Sequence, residues 1–282
     1  MYFKSSYFDI VTSNAIPEWV MFWEFMILYR GRKYGYLDFA LKTESWAWYV
    51  VPVFATYIHY YLKLIFYEGQ ILLAVNRLTA GFNPTSYNRI WKTKRIWIIR
   101  LIQFSLPVIP ITFICFYPKT DIVFVYREDQ KALRLIQDDW STQATSYVDG
   151  FASLIACAVC ALLYTVTVVK MSKNIKKYGL QNNMVEMKLI FSALTIFVVL
   201  IINTIKQCIT WYGAAYDEHI MLLSYDLSYP IMDFMYSITP WALIITSTDV
   251  RNMVLPWKKE VASAITMSSS SFAAQKTKVT LA

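Results

Sequence analysis

Residues 151–169 read FASLIACAVCALLYTVTVV and residues 198–205 read VVLIINTI, and neither stretch holds a charged side chain. A hydrocarbon core about 30 Å thick takes roughly 20 mostly apolar residues of α-helix to cross. A backbone in lipid must satisfy its own polar groups, which a helix does. Extended to their polar flanks, the two stretches predict spans over 147–169 and 187–212. The same test applied outward predicts four more, near 7–29, 46–76, 96–117 and 222–247. The expected fold is therefore all-α, a polytopic transmembrane helix bundle with six spans. Composition agrees: 57% of the 282 residues are hydrophobic and 16% charged, where soluble domains run nearer a quarter charged.

The six segments are not equal. The first is interrupted by Asp9, Asn14, Glu18 and Glu24, so it must shelter those groups against neighbouring helices. The second runs over 46–76, long enough to tilt or to project from the bilayer. Loop charge sets the expected orientation. Residues 77–95 carry Arg77, Arg89, Lys92, Lys94 and Arg95, and 170–188 carry Lys170, Lys173, Lys176, Lys177 and Lys188. With Lys4 and the tail, that side holds 16 basic residues against eight opposite, where Asp121, Glu128, Asp129, Asp138, Asp139, Asp217 and Glu218 cluster. The positive-inside rule then puts both termini in the cytoplasm and the 118–146 loop outside. Trp46, Trp48, Trp91, Trp97, Trp140, Trp211 and Trp257 fall near predicted span ends, as an aromatic belt does. Val250, Met253, Val254 and Trp257 recur at helical spacing beside Arg251, Lys258 and Lys259. They predict a short helix on the inner leaflet, closing a bundle over 1–262 and followed by a disordered Ser/Thr-rich tail over 263–282.

Other classes find little support. Cys115, Cys157, Cys160 and Cys208 all lie in apolar runs and read as buried small hydrophobes, Cys157-x-x-Cys160 included. No signal peptide is visible at the N-terminus, so an internal helix is expected to direct insertion. The sequence lacks zincin, nucleophile-elbow and P-loop motifs, and its two histidines, His59 and His219, are too few for a zinc site. No catalytic residue, cofactor or nucleic-acid partner is expected. The surrounding partner is membrane lipid.

Ionisable groups inside spans are the better clue, because a charge in hydrocarbon is costly and commonly functional. The candidates are Glu18, Glu24, His59, Lys63, Glu68, Lys206, Asp226 and Asp233. Lys206 and Asp233 lie on adjacent predicted helices at comparable depth, and Lys63 is in reach of Glu24 or Asp233. Lys63, Lys206 and Asp233 are either interhelical ion pairs or the lining of a ligand pocket. At the end of the second span, Asn76-Arg77 leads into the basic loop through Asn83-Pro84. Taken alone, Arg77 is a topology anchor.

Leu73-Ala74-Val75-Asn76-Arg77-Leu78-Thr79, then Phe82-Asn83-Pro84, then Tyr87-Asn88-Arg89-Ile90-Trp91, resembles the nematode serpentine receptors of class gamma. Pro240-Trp241-Ala242-Leu243-Ile244-Ile245 followed by Asp249-Val250-Arg251 resembles them too. The likeness covers nearly the whole chain in segment order. It implies a chemoreceptor-like membrane protein of the G-protein-coupled receptor type, expected at the plasma membrane, sensing an external small-molecule ligand and signalling to a heterotrimeric G protein. Asn76, Arg77 and Pro240 would then belong to the signalling switch. Arg89, Lys92, Lys94, Arg95, Lys173, Lys176 and Lys177 would face the G protein.

The chain departs from common receptor patterns at several points. Arg77 is not flanked by an acid and an aromatic residue, Pro240 is not in an Asn-Pro-x-x-Tyr, and no outer cysteine pair is present. Six spans stand against the seven that the resemblance implies, and the first here resembles the second of that family. The alternative is a small transporter or channel using its intramembrane charges. Gly69 is the only glycine deep in a span, and no internal repeat relates the two halves, where transporters commonly have broken helices and repeats.

Overall fold

The computed structural model describes residues 6–36, 46–82, 86–118, 120–127, 132–178, 184–246 and 251. Each predicted span is a helix. Helix α1 covers Ser6–Glu24 and runs on as a π-helical segment, Phe25–Arg30, and a final turn, Gly31–Lys33. Helix α2 covers Trp46–Phe82, and α3 covers Thr93–Ser105 and Val108–Cys115 with a break at Leu106-Pro107. Helix α4 covers Asp139–Tyr178, α5 Met184–Tyr216 and α6 Glu218–Thr246. The single-turn helix Tyr87–Ile90 lies between α2 and α3.

By length and apolar composition, four of these can cross a membrane: Tyr49–Phe82, Thr93–Cys115, Asp139–Lys176 and Ile190–Gly213. The segments of α1 and α6 carry more polar groups and rely on packing. Asn14, Glu18 and Glu24 in α1 are all buried, as their sheltering requires. Large apolar side chains point outward from the bundle, among them Ile155, Leu162 and Val169 on α4 and Ile98, Leu101 and Ile102 on α3. An apolar outer surface of this kind is what lipid requires.

Helix α2 is the central element. It packs against α1, α3, α4 and α5, while α6 closes the far side against α5 and α1. Its inward stripe is His59, Lys63, Tyr67, Gln70, Ala74 and Arg77, all buried, with the three-and-four spacing of one helical face. Gly69 permits the close approach of α1, because a Cβ there would stand 2.8 Å from the Asn14 amide. Arg100 on α3 ties the same corner, donating to Asn14 Oδ1 at 2.7 Å and to the Ile10 carbonyl at 2.6 Å.

Two features differ from the sequence expectation. The 118–146 loop holds an antiparallel hairpin, β1 (Ile122–Arg127) and β2 (Ala132–Gln137), paired from Ile122↔Gln137 to Arg127↔Ala132. Phe124 and Leu133 are buried against Val51, so an apolar face anchors this otherwise isolated two-stranded unit. The helices also run past their apolar limits. Helix α2 includes Arg77, and α4 includes Lys173, Lys176 and Lys177, so these basic residues stand on helix ends rather than in loops. The juxtamembrane helix and the Ser/Thr tail fall outside the described residues, apart from Arg251.

Candidate functional site

At the hairpin end of the bundle the helices part around a cavity of about 620 Å³, within the usual size range of small-molecule sites. Leu133 and Leu135 from β2 contribute to its wall, and Gln137 Nε2 donates to Thr56 Oγ1 on α2 at 3.3 Å. Asp138 secures the hairpin to α4. Its two carboxylate oxygens accept from the backbone amides of Asp121 and Ser141, each at 3.1 Å. Burial pushes the Asp138 carboxyl up, but hydrogen bonds from Ser141 and from the Asp121 amide outweigh it and hold the group below the usual range.

The cavity floor is a charged network centred on Asp149 of α4. Asp149 accepts from Lys63 Nζ and Gln207 Nε2 and from the Tyr67 hydroxyl at 2.7 Å. The Tyr67 oxygen in turn accepts from Asn203 Nδ2 at 2.9 Å. The Lys63 and Asp149 side chains are 3% and 5% exposed. A buried pair persists only with added hydrogen bonds to its remaining lone pairs, which Tyr67 and Gln207 provide. Lys206 also lines the cavity, one residue before Gln207.

The side wall is aromatic. Tyr29, Tyr60, Tyr229 and Phe25 face the cavity, and the Tyr29 ring stacks obliquely on His59 with centroids 4.6 Å apart. His59 Nδ1 lies 3.3 Å from Glu24 Oε2. Arg32 lies over the Tyr29 and Phe124 rings, 5.4 and 5.7 Å from their centroids. The π-helical segment of α1 places Phe25 and Tyr29 here, and such segments recur at functional sites.

The expected pairings need correction. Lys63 pairs with neither Glu24 nor Asp233, because Glu24 is engaged by His59 and Asp233 by Arg30. Lys206 does not meet Asp233 either; its nearby charges are Lys63 and Asp149. The physical reason is Asp149. It sits on the helix against which α2 packs, at the depth of Lys63, and near neutral pH a buried carboxylate takes the cation it can reach. The sequence marks Asp149 as the one charged residue of the predicted 147–169 span, and Arg100 as the one charged residue of 96–117.

The opposite end holds a second buried cluster. Arg77 is 2% exposed, with its guanidinium 4.1 Å from the Tyr7 ring centroid. It donates to Asn76 Oδ1 at 2.6 Å, and the Tyr87 hydroxyl donates to the same oxygen at 3.1 Å. Trp91 Nε1 donates to Thr79 Oγ1 at 2.7 Å. Arg77 is thus enclosed by α1 and by the chain after α2, not splayed toward the surface as a topology anchor would be. Arg89, Lys92, Lys94, Arg95, Lys173 and Lys176 are exposed at this end. Pro240 lies within α6, on an exposed position.

The family model described as serpentine type 7TM GPCR chemoreceptor Srv matches residues 1–258. No curated protein matches the chain.

Proposed function

The chain belongs to the serpentine type 7TM GPCR chemoreceptor Srv family, and from that membership we propose that it binds a small external molecule in the hairpin-covered cavity and signals to a cytoplasmic heterotrimeric G protein. The serpentine-receptor resemblance read from the Asn76-Arg77 and Pro240 segments thus stands, under the class label Srv. The protein is a multi-pass membrane protein with a chemoreceptor-like role.

The observation that carries the ligand and G-protein reading is the placement of two buried polar clusters on one helix. Lys63 at the cavity and Arg77 at the basic end are 14 positions apart on α2, or about 21 Å at 1.5 Å per residue. The helix is unbroken between them, so a displacement at one end can reach the other without a flexible link. Ligand binding would shift the balance between two packings of α2, altering how Arg77 holds Tyr87 and the loop after it. Asn76, Arg77 and Pro240 form the proposed switch region. Arg89, Lys92, Lys94, Arg95, Lys173, Lys176 and Lys177 form a basic surface suited to an acidic partner or anionic lipid. In this proposal the hairpin end faces outward, both termini lie in the cytoplasm, and the protein resides in the plasma membrane.

The test is nucleotide exchange. Cells co-expressing the chain with heterotrimers of each main class are exposed to a library of small metabolites. At least one compound should raise exchange, and Ser146→Trp, which fills the cavity, should abolish the response. Compounds that bind without exchange on any heterotrimer would refute signalling. Ligand-gated ionic current in their place would favour the transporter or channel reading.

A further inference from the structure

Lys206 differs from every other charge at the cavity. Its side chain is more than nine-tenths buried and lines the cavity. Among the described residues its ammonium takes part in no hydrogen bond or ion pair, whereas Asp149 beside it is already engaged by Lys63, Tyr67 and Gln207. The fixed charges lining the cavity are Arg32, Lys63 and Lys206 against Asp149 and Asp226, an excess of one cation. His59 also lines the cavity, and its ring nitrogen is paired with Glu24.

An ammonium withdrawn from bulk water costs free energy unless something neutralises it. Retaining one at the floor of a cavity, with its donors unused, is explicable if the occupant completes the pair. The wall constrains the rest of that occupant. Phe25, Tyr29, Tyr60 and Tyr229 offer ring faces and edges for an apolar or aromatic body, and Met232 adds a polarisable filler.

We infer that the cavity takes a small amphipathic monoanion, a carboxylate or a comparable acid on an aromatic or hydrocarbon body, with its charge on Lys206 Nζ. This rests on the ligand-binding part of the proposed function, but not on coupling to a G protein. Lys206 is a specificity-determining residue in this scheme: a neutral analogue leaves its charge unpaired, and a cationic one meets both Lys206 and Lys63.

The experiment uses the full chain in nanodiscs of phosphatidylcholine alone, so that no anionic lipid competes. Phenylbutyrate, phenylbutyramide and phenylbutylamine share one skeleton and differ in charge. Their affinities are read from the concentration dependence of the thermal midpoint. The acid should bind at least about tenfold more tightly than the amide, the scale of one charge-assisted hydrogen bond, and the amine should bind most weakly. The preference should vanish in Lys206→Met and persist in Lys206→Arg. Equal binding of acid and amine, an acid preference that survives Lys206→Met, or no binding by any of the three overturns the inference. The comparison within the unaltered chain needs no variant to fold. Binding of the acid without nucleotide exchange would remove the signalling proposal and leave this one. Activation by neutral compounds alone would do the reverse.

Discussion

Replacing Asp149 by alanine should be among the most damaging single changes in the bundle, and adding Lys63→Met should partly repair it. Asp149→Ala removes the acceptor shared by Lys63, Tyr67 and Gln207. It leaves the Lys63 ammonium, 3% exposed, without its counter-charge. Breaking a buried pair from one side costs about 3–5 kcal/mol, and the two other donors add roughly 1 kcal/mol each. Lys63→Met is milder, because Asp149 keeps Tyr67 and Gln207 and has Lys206 nearby. In Asp149→Ala with Lys63→Met the buried ammonium is gone as well, and no orphaned charge remains. The residual cost is the two neutral hydrogen bonds, about 2 kcal/mol.

The double variant is therefore expected to be more stable than Asp149→Ala alone, with a coupling energy of about 3 kcal/mol or more across the cycle. Thermal unfolding in nanodiscs measures it. At a few degrees per kcal/mol for a chain of this size, Asp149→Ala should lower Tm by on the order of 10 °C. Additive single effects, or a loss under about 1 kcal/mol for Asp149→Ala, would refute the reasoning, since either means the pair is hydrated and not buried.

Three further outcomes follow from local geometry. A Cβ at Gly150 would lie 1.8 Å from Trp211 Cζ2, so Gly150→Ala should cost about 1–3 kcal/mol through forced repacking; Gly81→Ala meets nothing within 4 Å and should raise Tm slightly, by helix propensity of about 0.5–1 kcal/mol. Arg77→Lys loses the planar face over Tyr7 and the forked donors, for an expected loss of about 1–2 kcal/mol; unchanged thermal unfolding would mean that Arg77 is not held by the ring. Because Asp138 has its carboxyl below the ordinary range, its contribution is present above the unfolded value near about 4 and is lost as pH falls through the folded value. The Tm difference between the unaltered protein and Asp138→Asn should therefore shrink on acidification below about pH 4, and amide exchange at Ser141 should quicken over the same interval.

The fold was legible where the bilayer dictates it. An apolar run such as 151–169 has one physical outcome in lipid, and the core of each predicted span is helical. Helix ends were less legible, because α2 and α4 extend into their basic flanks, where water can solvate the side chains without unwinding the backbone. The hairpin is hard to read because its alternation is short: IVFVYR and ALRLIQ are six residues each, and their apolar face packs on Val51, distant in sequence. At the site, the sequence marks Lys63 and Lys206 as charges within spans but does not mark their partners. A sequence places a charge in a span; only packing determines which helix face opposes it.

That distinction explains why the polar residues of α2 can serve two ends of one molecule. His59, Lys63, Tyr67, Gln70 and Arg77 lie on one stripe, and nearly every partner named for them comes from a different element: Glu24 from α1, Asp149 from α4, Asn203 from α5, Tyr7 from α1. A helix held by apolar contacts alone could slide or rotate by small amounts at little cost, since lipid-exposed and core side chains are chemically alike. Directional hydrogen bonds restrict α2 to discrete arrangements, because a shift of about an ångström or more at Lys63 must break or remake bonds to Asp149. A cavity whose floor is that bond, and whose neighbouring Lys206 can draw an anion toward it, is therefore placed to bias α2 between such arrangements. The buried Arg77 cluster, on the same rigid stripe, is where the bias would emerge.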